Sequence, residues 1–376
     1  MSRTARFFSL VMVILLTACA KPAASPTGAA PAAGAPAASD WSKITEAAKA
    51  EGRVVLMGQS GQPVSEALAD AFQRAYPDIT VDYTGLAGAQ MVTKVLTEKA
   101  AGLHTTDVVV HGTTSVINGL LPEGALDPIM PALVGPDIDA TKWRSGQFEF
   151  ADESGQYALL FLAGLKIPLI YNPERIRPGE ITSYHDLLAP RYKGQIAMLD
   201  PRVAGAGLAS SIFFYTTPSL GQDYLQKLFT QDVVLTKDDR QLTDWVARGQ
   251  YLIGLASNDF TALDLKSRGV PVESLPAEAV KEGTYMTGAW GSVALLSHAP
   301  HPNAARVYLN WLLSKEGQEG VAQASGYPSR RQDASTTGLR ESVIPRPDVD
   351  YRDLSKQRYI LQQDEIIAYM RALVPD

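Results

Sequence analysis

Several loops in this sequence carry residues able to hold a small polar solute. Gly58-Gln59-Ser60-Gly61 follows the apolar run 54–57 and precedes Pro63, which suits the first position of a helix. A helix starting there offers free N–H groups and a partial positive charge. Ser60 and Gly61 are therefore candidate contacts for an anion, and a plain strand–helix turn explains them equally well. Gly112-Thr113-Thr114-Ser115 follows the run 107–110. The hydroxyls of Thr113 and Thr114 can bind a ligand or cap a helix, and capping is the commoner use. Asp200-Pro201-Arg202-Val203-Ala204-Gly205 lets a ligand approach the backbone at Gly205. Arg202 offers a fork of donors to a carboxylate or phosphate, or lies on the surface. Arg240, after 233–235, poses the same choice. Asn258 and Asp259 follow 252–255; Asn258 offers hydrogen bonds, and Asp259 meets an amine or caps the next helix. Tyr285 and Trp290 stack on a ligand or fill a hinge.

Catalytic signatures are missing. Gln62 stands where a Gly-x-Ser-x-Gly elbow around Ser60 needs its last glycine. The sequence has no His-Glu-x-x-His zinc motif and no phosphate-binding Gly-x-x-x-x-Gly-Lys, so no ATPase of its own. The one close histidine pair, His298 and His301, brackets Pro300 and reads as a loop. No spacing of acids singles out an acid/base pair. No catalytic residue, metal ligand set or cofactor is expected. An envelope enzyme and a pure adhesion lipoprotein are the rival classes; the second would need no cleft.

The single cysteine, Cys19, ends Leu16-Thr17-Ala18-Cys19 directly after the apolar run 7–15, with Arg3 and Arg6 in front. This is an export signal over 1–18. Its apolar run falls short of the roughly 20 residues that span a bilayer. The last four residues resemble the bacterial lipobox, which implies that Cys19 is lipidated and tethers the protein to a membrane. Residues 19–39 are nearly all Ala, Pro, Gly and Ser after that cysteine and read as a flexible linker.

Without the residues before Cys19, the 376-residue chain still has room for two or three domains of roughly 100–200 residues. Hydrophobic residues make up 45%, enough for sizeable cores. Losing Arg3 and Arg6 takes the formal charge from −6 to −8, and an acidic chain without basic blocks argues against nucleic acid as a partner. No second cysteine exists to form a disulfide, so packing must hold the fold.

From residue 40 the pattern alternates. Runs at 54–57, 79–83 and 107–110 read as strands, with helices around Val64–Phe72 and around Met91, Val95 and Leu96 between them. The middle repeats the alternation, with strands at 195–199, 233–235 and 251–255 and helices at 208–215, 221–229 and 241–248. A strand at 289–296, an amphipathic helix at 304–313 and a last helix at 355–373 close the chain. This order implies α/β lobes with mostly parallel sheets and right-handed crossovers.

Five phrases add specificity. Trp41-Ser42-Lys43-Ile44 leads to Ala48-Lys49-Ala50-Glu51-Gly52-Arg53, then come Leu169-Ile170-Tyr171-Asn172-Pro173 and Asp186-Leu187-Leu188-Ala189-Pro190-Arg191-Tyr192-Lys193-Gly194. Val246-Ala247-Arg248-Gly249-Gln250-Tyr251 and Trp311-Leu312-Leu313-Ser314-Lys315-Glu316-Gly317 follow. In this order they resemble the extracellular solute-binding proteins of ABC importers, in the ferric-iron-type branch. The resemblance implies a two-lobed type II periplasmic-binding fold with the ligand in the cleft and closure by a hinge. One lobe would hold 40–165 plus 285–376 and the other 166–284. Permease and ATPase subunits would be partners of a monomer on the extracytoplasmic face. Iron-binding members present adjacent tyrosines where this chain has Ser257-Asn258-Asp259-Phe260, and Tyr171, Tyr251 and Tyr285 give no pair at that place. A small anionic organic solute is therefore expected ahead of ferric iron or an iron chelate.

Overall fold

The computed structural model describes residues 38–257 and 259–374, so Cys19, the linker up to residue 37 and Asn258 lie outside the described residues; the first helix, Ala38–Glu51, takes in the last two residues assigned to the linker. Apolar strands form the centres of two sheets. In the first, Arg53–Gln59 runs parallel to Thr80–Leu86 on one side and to Val108–His111 on the other. Its residues Val54, Leu56 and Met57 are buried, as a strand covered on both faces requires. The returning strand Ser292–Leu296 runs antiparallel to Val108–His111 and carries Leu159–Leu160 and Leu126–Asp127 on its far edge. In the second sheet, Ile196–Leu199 lies parallel to Val234–Thr236 and Ile253–Leu255. Leu169–Tyr171 and Glu273–Ser274 add antiparallel strands. Each sheet therefore has three parallel strands at its heart and antiparallel partners beside them.

Helices cover the faces. On the first sheet, Phe72, Tyr308 and Trp311 pack ring to ring, with Phe72 edge-on to Tyr308 at 5.1 Å. The helix at 62–75 widens to a π turn over Glu66–Asp70, which still keeps Val64, Ala67, Leu68 and Phe72 buried. On the opposite face Met91 and Val95 of the helix Gly88–Ala100 meet Met57 and Val109. On the second sheet, Tyr184, Phe213, Phe214 and Tyr224 form an aromatic core.

A third sheet joins the two. Tyr285–Thr287 pairs antiparallel with Gly164–Leu165 and parallel with Arg352–Asp353. Beyond it the final helix, Gln363–Leu373, buries Ile366 and Met370 in the aromatic core of the second sheet. The C-terminal segment assigned by sequence wholly to the first lobe thus packs its last helix on Ala206–Thr216 of the other. None of the described helices is long and apolar enough to cross a membrane.

Candidate functional site

The ends of the central strands set up the site. Strand Val108–His111 stops at a histidine that is 5% exposed. Its Nδ1 accepts the Gly112 N–H at 2.8 Å, so its Nε2 carries the proton and donates to the Leu86 carbonyl at 3.2 Å. Burial pushes the His111 pKa down and outweighs the hydrogen bond to Leu86, which keeps the ring neutral. This ring fixes the turn from which Thr113 and Thr114 emerge, and it also touches the start of the helix Gly88–Ala100. A Cβ on Gly88 would lie 2.0 Å from Ser115 Oγ and 3.1 Å from the His111 ring, so a side chain there would force the serine hydroxyl to move and crowd the histidine.

From the second sheet, Leu199 leads through 200–205 into the helix Ala206–Thr216. Gly205 takes φ 150°, a conformation that L side chains rarely adopt. Gly88, Thr113 and Gly205 come together with Tyr285 and Thr287 around a cavity of about 430 Å³. No Asp, Glu, Lys or Arg lines it among the described residues.

Two features make this cavity receptive to acceptor oxygens. The helices beginning at Gly88 and Ala206 are preceded by Ala87 and Gly205, neither of which has a side-chain oxygen to cap the first N–H groups. Such positions usually carry Ser, Thr, Asp or Asn. Thr113 is 7% exposed, lines the cavity, and its hydroxyl has no hydrogen-bond partner among the described residues. That hydroxyl opens onto the cavity and is free to bond a solute there.

The other sequence-derived candidates divide. Thr114 lines the cavity, exposed, with its hydroxyl 3.5 Å from Gln363 Nε2. Tyr285 lines it at 4% exposure, its hydroxyl paired with Ser210 at 3.2 Å and its pKa raised by burial. Ser60 and Gly61 are exposed at the end of the first strand, outside the lining. Arg202 turns back on its own loop: Nε and Nη2 each donate to Asp200 at 2.9 Å, and Nη1 donates to the Val374 carbonyl. The guanidinium holds the Asp200 carboxyl below its usual range. Arg240 is exposed between Asp244 and Asp264, at 3.5 and 3.7 Å. Asp259 is buried against Arg340 and accepts from Ser342 Oγ at 2.9 Å. Trp290 packs edge-on to Phe161 at 6.1 Å, against the core of the first sheet. Both guanidinium groups thus meet carboxylates of nearby residues.

Sequence reasoning missed the start of the helix at Gly88, Thr287, and Ser355 and Gln363 near the C-terminus, all in the lining. A glycine directly after a strand, at Gly88, was the available signal. No group of three or more His, Cys, Asp or Glu side chains among the described residues is placed to hold a metal.

The chain resembles proteins of known structure with two lobes. It is 19% identical to iron-bound HitA from Pseudomonas aeruginosa, covering 85% of this chain and 99% of that one at a TM-score of 0.62. It is 21% identical to the periplasmic binding protein AfuA from Actinobacillus pleuropneumoniae with fructose-6-phosphate bound, covering 86% and 99% at a TM-score of 0.60. An uncharacterized protein of Haemophilus influenzae is 26% identical over 282 residues, 73% of this chain and 77% of the relative. Residues 58–319 match the family of bacterial extracellular solute-binding proteins. The matched span takes in the second sheet, most of the first and most of the cavity lining, and on that ground the chain belongs to the bacterial extracellular solute-binding proteins.

Proposed function

We propose that this protein is the membrane-tethered receptor of an ABC importer, and that it captures a small organic anion in the cavity by hinge closure. The observation that carries the reading is the convergence of two uncapped helix starts and the unpaired Thr113 hydroxyl on one space. All of these groups donate hydrogen bonds, so the solute must bring acceptor oxygens. About 430 Å³ suits a small metabolite. The neighbours with iron and with fructose-6-phosphate bound frame the choice. Ferric iron favours phenolate oxygens. Here Tyr285 is the only tyrosine in the lining among the described residues, and its hydroxyl is engaged by Ser210, so an organic solute fits better. The three-stranded sheet of two- and three-residue strands is the hinge. Isothermal titration of the full chain with organic acids, organic phosphates, neutral polyols and ferric citrate tests this. Heat of saturable binding is expected from an anionic organic compound alone. Binding confined to neutral compounds or to iron would sink the reading.

Cys19 serves as the anchor in this reading, and residues 20–39 hold the receptor beside its permease. Cys19→Ser is expected to move the protein from the membrane fraction to the soluble one with solute affinity unchanged. Continued sedimentation with membranes would refute lipid anchoring.

A further inference from the structure

The hinge strand Tyr285–Thr287 turns alternate residues to opposite faces. Tyr285 and Thr287 line the cavity, while Met286 packs in a separate cluster with Leu165 and Tyr351. The chain leaves this strand through a turn over 288–291, closed by the Gly291 N–H donating to the Gly288 carbonyl at 2.7 Å. Ala289 takes φ 48° there, a left-handed conformation uncommon for residues other than glycine. Two hydroxyls hold the turn. Thr287 Oγ1 accepts the Ala289 N–H at 3.2 Å, and Ser355 Oγ accepts the Gly288 N–H at 2.7 Å. Ser355 follows the neighbouring strand Arg352–Asp353, and its own N–H donates to Asp353 Oδ1 at 3.0 Å. Arg330 Nη2 donates to the other oxygen of that carboxylate at 2.8 Å, so the position of Ser355 is fixed from behind.

The hydrogen-bond account of these two hydroxyls leaves a proton over on each. Every serine or threonine hydroxyl has one O–H to donate and two lone pairs to accept with. Thr287 and Ser355 have each taken up a backbone N–H, and neither O–H has an acceptor among the described residues. Both residues line the cavity, and Ser355 does so at 3% exposure. Thr113 brings a third such O–H from the end of a first-sheet strand. No charged side chain lines the space among the described residues, so neutral donors are what an acid group meets there. A hydroxyl that donates to an anion also becomes a better acceptor, because linked hydrogen bonds polarise one another. Occupancy of the cavity would thereby tighten the bonds to the Gly288 and Ala289 N–H groups.

We propose that Ser355 and Thr287 bind the solute, donating from the hinge sheet to the oxygens of its carboxylate or phosphoryl group, and so tie occupancy of the cavity to the turn 288–291. This rests on the cavity being the solute site. The probes are malonate and inorganic phosphate, each titrated into the full chain while the melting temperature is followed. One of them is expected to raise it, and the stronger of the two identifies the acid group as carboxylate or phosphoryl. Ser355→Ala and Thr287→Val should each weaken the response roughly tenfold, the loss of one hydrogen bond to a charged group. Thr287→Ser keeps the hydroxyl and should retain most of it. Amide exchange over 286–291, followed by mass spectrometry, should slow in the parent at saturating anion and slow less in the two weakened variants. A response lost in Ser355→Ala but kept in Thr287→Val, with exchange over 286–291 already fast without anion, would make Ser355 a holder of the turn alone and overturn the proposal. A response lost in Thr113→Val but intact in Ser355→Ala and Thr287→Val would remove the hinge hydroxyls from the site and leave the cavity as the site. A response intact in all three would refute the cavity reading as well. A parent protein indifferent to both anions would sink the acid-group assignment and this proposal with it.

Discussion

Arg330→Met is expected to destabilise the protein by about 3–5 kcal/mol, the usual cost of breaking a buried ion pair from one side. Arg330 is 1% exposed. Its Nε donates to the Leu162 carbonyl at 2.9 Å, Nη2 donates to Asp353 at 2.8 Å, and Nη1 meets Glu149. One guanidinium therefore ties an edge strand of the first sheet, the chain leaving that sheet, and the outer strand of the hinge sheet. Burial alone would push the Asp353 carboxyl up, but Arg330 and Lys356 outweigh it and hold it below the usual range. In the parent, Asp353 contributes stability that is present above its unfolded pKa and is lost as pH falls through its lower folded value. Without Arg330, burial dominates and the folded pKa rises above the unfolded one. Stability of the variant is then lost as pH rises through that value. The gap between parent and variant, measured by urea unfolding, should widen from pH 4 to pH 7. A gap that is small or independent of pH would show that Arg330 is not holding Asp353 charged.

The strands and helices of both lobes were legible because each obeys one period. Val54–Met57 is continuously apolar and is covered on both faces, and the helix predicted at 221–229 spans Gly221–Phe229. The hinge was not legible. Gly164–Leu165 and Arg352–Asp353 are two-residue strands, too short to show alternation, and their partner Met286 lies 121 residues from Leu165 and 67 from Asp353. The site was half legible for a related reason. Thr113, Thr114, Gly205 and Tyr285 follow strand ends or crossings, which sequence order marks. Arg202 and Arg240 have the right chemistry, but whether a guanidinium faces solute or a nearby carboxylate depends on side-chain direction. The Asp200 fork decided the first and Asp244 with Asp264 the second.

Gly207→Ala should damage solute binding more than its size suggests. A Cβ at 207 would lie 2.3 Å from the Leu199 carbonyl oxygen and 2.5 Å from that of Asp200. Both are backbone atoms at the end of a central strand, so no side chain can swing aside. The first turn of Ala206–Thr216 must shift, and it carries the uncapped N–H groups beside Gly205 away from the cavity. Overpacking of this kind costs about 1–3 kcal/mol of stability. Loss of one good hydrogen bond to a charged group costs about 1.5–3 kcal/mol, which corresponds to a tenfold or greater loss of affinity. Gly320→Ala is the matched control. It lies within the helix Lys315–Ser325, and a Cβ there meets nothing within 4 Å. That change should raise stability by up to about 1 kcal/mol through helix propensity and leave affinity alone. Affinity measured at a temperature where both variants are fully folded separates the two effects. Equal affinity of Gly207→Ala and the parent would mean that the N–H groups at the start of Ala206–Thr216 do not contact the solute, and would remove the second lobe's main contribution to the site.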